Sequence, residues 1–304
     1  MVEQSIVVSF PPGPMRAAVG RLPAGVEVVE WDLDGPAPRP EIDLVVRPSV
    51  RGLEPLRWLS TVRARVVQSP AVGYDGVADV LPAGHALANA AGVHEASTAE
   101  LAVALVLAAQ RGVPDYVRAA AEGRWATAIS PGLLGRTVLL LGVGGIGSEI
   151  AARLRPFGCD LVLVGRTARD GVRGADELPA LLPRADVVVV SVRLDATTTG
   201  LVDAAFLARM ASGALLVNVA RGAVVDTPAL VAEVGSGRLR AALDVTDPEP
   251  LPPDHPLWSL PNVLVTPHVA GATPEAPDRL ARLVRAQIDR LVAGLEPLNV
   301  VVRT

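Results

Sequence analysis

Short apolar runs, separated by polar and turn-forming residues, recur along the whole chain. In the first third, residues 5–10, 26–31, 42–47 and 64–69 are rich in Val and Ile and read as strands. Residues 15–22 and 56–62 between them read as helices. A long helical stretch over 95–111 is apolar almost all round, which predicts burial between domains or subunits. After a polar, Ala-rich stretch and a loop with Pro131 and Gly132, a second series begins. Its expected strands are 137–141, 160–164, 186–192, 214–219, 240–245 and 262–266, with a helix over 145–157. Asp226 is the expected N-cap of a helix over 227–234. Thr273 is the expected N-cap of the last helix, with Pro274 at its first position and an end near Gly294. Apolar strands alternating with helices predict parallel sheets covered on both faces, in two α/β units.

Composition agrees with this and narrows the chemistry. A length of 304 residues fits two domains at roughly 150 residues each. Half the residues are apolar and 20% are charged, enough for a large core. The net charge of −4 argues against a nucleic-acid surface, which needs clustered positive charge. All 28 basic residues are Arg. A Schiff-base lysine, a lysine base and a Walker-type phosphate loop are therefore excluded. The single cysteine, Cys159, excludes an intrachain disulfide framework, and the four histidines are too scattered for a metal cluster, so no metal is expected. With no leader-like amino terminus, a cytoplasmic location is expected. The longest apolar run, 101–109, is shorter than the roughly 18 residues a membrane helix needs.

The strongest local signal is Gly142-Val143-Gly144-Gly145-Ile146-Gly147, between a strand and a helix. Gly142 permits the tight turn, Gly144 lets a pyrophosphate approach the backbone, and Gly147 lets helix and strand pack closely. The helix N-terminus offers N–H donors and a positive dipole to the phosphates. An NAD-binding unit carries an acid about 20 residues on, for the ribose 2′-hydroxyl. Here the second strand ends Val164-Gly165-Arg166-Thr167, without that acid. Arg166 and Thr167, with Arg169 nearby, favour a 2′-phosphate and hence NADP(H) over NAD(H). The alternative is that Arg166 stacks on adenine or is merely solvated.

Three more segments put an ionisable residue at an expected strand end, where open α/β sheets bind ligands. They are Asn218-Val219-Ala220-Arg221-Gly222, Asp244-Val245-Thr246-Asp247-Pro248-Glu249-Pro250 and Thr266-Pro267-His268-Val269-Ala270-Gly271. With the glycine turn, they make the chain resemble the D-isomer-specific 2-hydroxyacid dehydrogenase family, in its glyoxylate/hydroxypyruvate reductase-like branch. The likeness runs from the 64–75 segment to Val300. Arg, Glu and His follow in the family's order, 28 and then 19 residues apart.

The resemblance implies two Rossmann-like (flavodoxin-like) parallel-sheet domains with a cleft between them. Residues 1–95 plus 275–304 would form the substrate domain and 96–274 the dinucleotide-binding domain. It implies hydride transfer between NAD(P)H and a small 2-oxoacid or D-2-hydroxyacid. Arg221 would hold the substrate carboxylate, His268 would be the general acid, and Glu249 would bond the imidazole and favour its charged form. These roles suit the chemistry of the three groups. Ala220 and Asp244 would join the glycine turn in binding the cofactor, Asp244 at the nicotinamide carboxamide. Val72 and Gly73 would bind the substrate carboxylate through backbone N–H groups, and Tyr74 would either line the specificity pocket or belong to the core. Trp125 and the tail of the long helix resemble a dimer arm, so a homodimer is expected. Two departures stand out. Gly145 occupies a place where many members have Arg, and Arg193 interrupts a common Pro-Leu-Thr pattern. Arg47, at a strand end, is read as a surface residue, with a place facing the cleft as the alternative, and His85, His94 and His255 are read as structural. The rival readings are a dehydrogenase of another small anion, of formate or phosphite type, and a non-catalytic dinucleotide sensor.

Overall fold

The computed structural model describes residues 5–48 and 52–304. Residues 1–4 and 49–51, part of the expected substrate domain, lie outside the described residues. The chain divides into two compact units, one running up to His94 and resuming over Thr273–Thr304, the other covering Glu95–Ala272.

The first unit begins β1 (Ile6–Phe10), α1 (Met15–Ala18), β2 (Val26–Glu30), β3 (Glu41–Val46), β4 (Arg63–Gln68), α2 (Val77–Val80) and β5 (Ala86–Ala88). The second unit follows with α3 (Glu95–Gln110), α4 (Val113–Ala121), β6 (Thr137–Leu141), α5 (Gly145–Leu154), β7 (Asp160–Val164) and α6 (Leu178–Leu181). It continues through β8 (Val187–Val190), α7 (Ala204–Arg209), β9 (Leu215–Asn218), α8 (Thr227–Gly235), β10 (Arg240–Leu243) and β11 (Val263–Val265). The chain then returns to the first unit as α9 (Ala276–Val292) and β12 (Val300–Arg303).

The first sheet has the order β12-β5-β4-β3-β1-β2. It is parallel except for β12, which pairs antiparallel with β5. The second sheet, β11-β10-β9-β8-β6-β7, is parallel throughout. In each, the first strand of the unit lies between the second and the third, so the winding direction reverses beside it. That reversal opens a crevice at the carboxyl ends of the strands. The glycine turn follows β6 and stands at this point. Inside the second sheet, the four valines of β8 are fully buried. Burying each such side chain contributes about 1.5–3 kcal/mol relative to leaving it exposed.

The structure departs from the sequence reading at several elements. The helix expected over 15–22 is the single turn α1, and that over 56–62 is a 3-10 segment, Glu54–Thr61. The short β5 and β12 were not anticipated. Both are brief, and β5 (Ala-Leu-Ala) carries no β-branched signal. Asp226 caps α8 as expected, accepting from the Ala229 N–H at 2.9 Å. Thr273 does not cap the last helix. Its hydroxyl instead accepts from Arg279 at 3.1 Å, and α9 begins only at Ala276. Arg47 is not a surface residue. It is 8% exposed and donates to the Gly52 carbonyl at 3.1 Å. Burial pulls its guanidinium below the ordinary value. No helix among the described residues is long and apolar enough to cross a membrane.

Candidate active site

The functional side chains of the second unit lie just beyond the carboxyl ends of its parallel strands. The turn after β6 comes first. Gly142 has φ +100°, a region that L side chains rarely adopt. At Gly147 an added Cβ would lie 2.0 Å from the Gly142 carbonyl oxygen, so only glycine lets α5 approach β6. Gly144, by contrast, faces open space. It is the N-cap of α5, with no side chain capping the helix and no acidic residue in its first turn. Backbone donors, dipole and open volume together fit a dinucleotide pyrophosphate. Gly145 abuts Glu95, whose Cγ would lie 2.9 Å from an added Cβ. A side chain at this position would have to displace that of Glu95. Ile146 is partly buried against the core behind the turn.

Beyond β7, Arg166 and Thr167 are exposed. The Arg166 guanidinium donates to Asp195 Oδ2 at 2.7 Å, so it is not merely solvated. Arg169 closes a small turn, exchanging backbone hydrogen bonds with Val172.

After β9, the buried Asn218 clasps the chain. Its Oδ1 accepts from the Ala220 N–H at 3.0 Å, and its amide donates to the Arg221 carbonyl at 2.9 Å. Ala220 is buried, and its carbonyl accepts from Arg221 Nη1 at 2.7 Å. Gly222 meets the chain after β10 so closely that a Cβ would lie 1.9 Å from the Thr246 carbonyl oxygen. The reading of the sequence passed over both Asn218 and Gly222. Their signals were a polar residue closing an apolar strand and a glycine next to the candidate arginine.

His268 and Glu249 meet directly, with His268 Nδ1 2.5 Å from Glu249 Oε1. Both side chains are about half exposed. The backbone of His268 is unusual, with φ +53°. A non-glycine residue there costs of order 1–3 kcal/mol and persists only when its surroundings hold it. Asp244 does much of that holding. Its carboxylate is buried, with Oδ1 accepting from the Thr266 hydroxyl at 2.6 Å and the Val269 N–H at 3.0 Å. Oδ2 accepts from the Ala270 N–H at 3.1 Å, and the Asp244 carbonyl accepts from the His268 N–H at 2.8 Å. Asp244 thus shapes the loop that presents the imidazole. The chain bearing Glu249 is tied down by Thr227, whose hydroxyl donates to the Asp247 carbonyl at 2.8 Å.

These bonds make a prediction. Asp244→Asn keeps one acceptor oxygen and turns an amide toward a backbone donor. Leaving a buried N–H unsatisfied costs about 1–3 kcal/mol. A lower thermal midpoint together with lower turnover is expected, read by melting curves and steady-state kinetics. Unchanged values for both would refute the role.

Val72, Gly73 and Tyr74 belong to the first unit. Their loop is held by Asn89, which donates to the Val72 carbonyl at 2.8 Å, and by Ser69, which accepts from the Ala71 N–H at 3.2 Å. Tyr74 packs against the core there. His94 reaches the Pro70 carbonyl from Nε2 at 2.8 Å. His85 is buried against the Pro82, Ala83 and Val62 carbonyls, and His255 caps a short 3-10 turn.

Residues 103–270 match the family described as D-isomer specific 2-hydroxyacid dehydrogenase, NAD binding domain. A glyoxylate reductase/hydroxypyruvate reductase of Mus musculus is 35% identical, over 94% of each chain. A D-isomer specific 2-hydroxyacid dehydrogenase of Xanthobacter autotrophicus, solved with NADPH and MES, superposes with a TM-score of 0.84 at 30% identity, covering 98% of both chains. An NADPH-dependent glyoxylate/hydroxypyruvate reductase of Sinorhizobium meliloti, solved with NADP and malonate, gives 0.81 at 30% identity, over 98% of this chain and 97% of that one. A glycine turn at the reversal of a parallel sheet, an acid-paired histidine at another strand end of the same sheet and these likenesses lead to one conclusion: the chain belongs to the NAD(P)-dependent D-isomer-specific 2-hydroxyacid dehydrogenases.

Proposed function

We propose that the protein reduces a small 2-oxoacid to the D-2-hydroxyacid with NADPH in preference to NADH. The observation that carries this is the His268–Glu249 pair, standing on the same strand-end edge as the glycine turn. Bound cofactor supplies the hydride to C2. His268 supplies the proton to the carbonyl oxygen, and Glu249 stabilises the imidazolium by its charge. Arg221 pairs with the substrate carboxylate, for which a planar guanidinium is matched in shape and charge. Val72 and Gly73 take part through backbone N–H groups, with Tyr74 selecting the substituent at C2. Gly142, Gly144, Gly145, Ile146, Gly147 and Ala220 line the cofactor's phosphates and ribose, and Asp244 meets the carboxamide. Arg166 and Thr167 receive the 2′-phosphate. The named ligands of the Sinorhizobium and Xanthobacter proteins support the NADPH preference. The reading includes a homodimer, supported by Trp125, Ile129 and Leu134, which are almost wholly exposed on one stretch of chain.

The test is consumption of NADPH and NADH, side by side, against a panel of 2-oxoacids. Arg166→Ala is run in parallel. The expected result is turnover favouring NADPH, with a roughly tenfold loss of that preference in Arg166→Ala, the worth of one charge-assisted phosphate contact. Turnover favouring NADH would overturn the cofactor assignment and keep the reaction. Oxidation of formate or phosphite without any 2-oxoacid reduction would overturn the substrate class.

A further inference from the structure

Arg193 breaks the family pattern on the loop after β8, and the structure gives that loop an arrangement of its own. The Asp195 carboxylate is divided between two tasks. Its Oδ1 holds the loop, accepting from the Thr197 N–H at 2.9 Å and the Thr197 hydroxyl at 2.6 Å. Its Oδ2 receives Arg166 Nη2 at 2.7 Å and Arg193 Nη2 at 3.0 Å. Two guanidinium groups from different strand ends therefore converge on one anionic oxygen. Their donor nitrogens lie within about 6 Å of each other, a span that one phosphate group bridges.

Threonine hydrogen bonds to the backbone brace the loop. Thr198 bonds the Arg193 carbonyl at 2.7 Å and receives the Asp195 N–H at 2.8 Å. Thr199 donates to the Asp195 carbonyl at 2.9 Å. The two arginine side chains are exposed, 67% for Arg166 and 50% for Arg193, which leaves them room to turn toward a ligand. Hydrogen bonds from Thr197 and then Arg193 hold the Asp195 carboxyl well below the usual carboxylate range. It is therefore an anion whenever the cofactor binds.

We propose that Arg193 is the second arm of the 2′-phosphate site, and that Asp195 is its internal counter-anion. Without a phosphate, Asp195 stands between two like charges and offsets one of them, easing their repulsion. When a 2′-phosphate arrives, its dianion offers more acceptors and more charge than one carboxylate oxygen, so the guanidinium groups turn to it. When NADH binds, they stay with Asp195 and neither is left unpaired. Arg193 thus adds to the preference for NADPH, and Asp195 moderates it. The inference rests on the assignment of the 2′-phosphate to Arg166.

The experiment is a fluorescence titration of the full-length protein with NADPH and with NADH, without substrate. Wild type, Arg166→Ala, Arg193→Ala and Asp195→Asn are compared, each first checked for an unchanged melting profile. Arg193→Ala is expected to lower the ratio of NADPH to NADH affinity about tenfold, as the loss of one charged hydrogen bond predicts. Asp195→Asn keeps the bond to Thr197 and loses the charge, so the ratio should rise several-fold. A wild-type ratio well above one that falls in Arg166→Ala and not in Arg193→Ala would overturn this inference alone. A ratio that falls in Asp195→Asn would overturn the counter-anion role. A wild-type ratio of one or below, untouched by Arg166→Ala, would overturn the underlying cofactor assignment.

Discussion

Replacing His268 by Ala is expected to cut turnover by about 10²–10⁴, the usual worth of a positioned general acid. Cofactor affinity should stay within a few-fold of wild type, because the imidazole sits on a strand end distinct from the glycine turn. The geometry makes a second demand. In the proposed mechanism Glu249 acts through His268, to which it is bonded at 2.5 Å. Glu249→Gln alone should therefore lower turnover, yet add little once His268 is gone. Residues that work as a unit are non-additive in this way. Steady-state kinetics on the two single variants and the double variant would check both points. Turnover within tenfold of wild type in His268→Ala would remove the histidine from the proton-transfer role. Additive losses in the double variant would mean that Glu249 acts elsewhere.

Gly222→Ala is expected to be nearly as damaging, for a steric reason. The new Cβ would fall 1.9 Å from the Thr246 carbonyl oxygen, 2.1 Å from its carbon and 2.6 Å from the Asp247 nitrogen. All three are backbone atoms, so no flexible side chain can yield. Either the chain after Arg221 or the chain leading to Glu249 must shift. Overpacking of this kind costs typically 1–3 kcal/mol, occasionally more. A displacement of about 1 Å at a reacting group costs on the order of 10²-fold in rate. A lowered melting temperature and a rate loss near 10²-fold are expected together. Wild-type stability and rate would show that the two segments separate at no cost.

The case of Gly222 shows where the sequence was legible and where it was not. Strands such as β6 and β8 could be read directly, because apolar runs buried on both faces carry their own signal. The glycine turn could be read from spacing alone. Glu249 and His268 lie 19 residues apart and gain meaning only when two parallel strands bring their ends side by side. The resemblance supplied that pairing; periodicity did not. The roles of Asn218 and Gly222 were illegible because they depend on which backbone atoms come within 3 Å, a tertiary fact. Arg47 misled for a similar reason. A charged residue at a strand end looks exposed, yet this guanidinium is buried and reaches the Gly52 carbonyl. Thr273 failed as a cap because Arg279, six residues on, engages its hydroxyl.

The path of the chain between its two units sets an order of events during synthesis. Glu95–Ala272 is continuous, and its sheet can assemble once that stretch has left the ribosome. The other unit is split. Its core includes Leu280, Ala281, Val284, Ile288 and Leu291 from α9, packed with Ile6, Val8 and Phe10 from β1. Those early strands must wait with an apolar face uncovered while more than half the chain is made. The unit that holds the acid-paired histidine is thus complete first, and the nascent amino-terminal strands are the segment most in need of protection from aggregation.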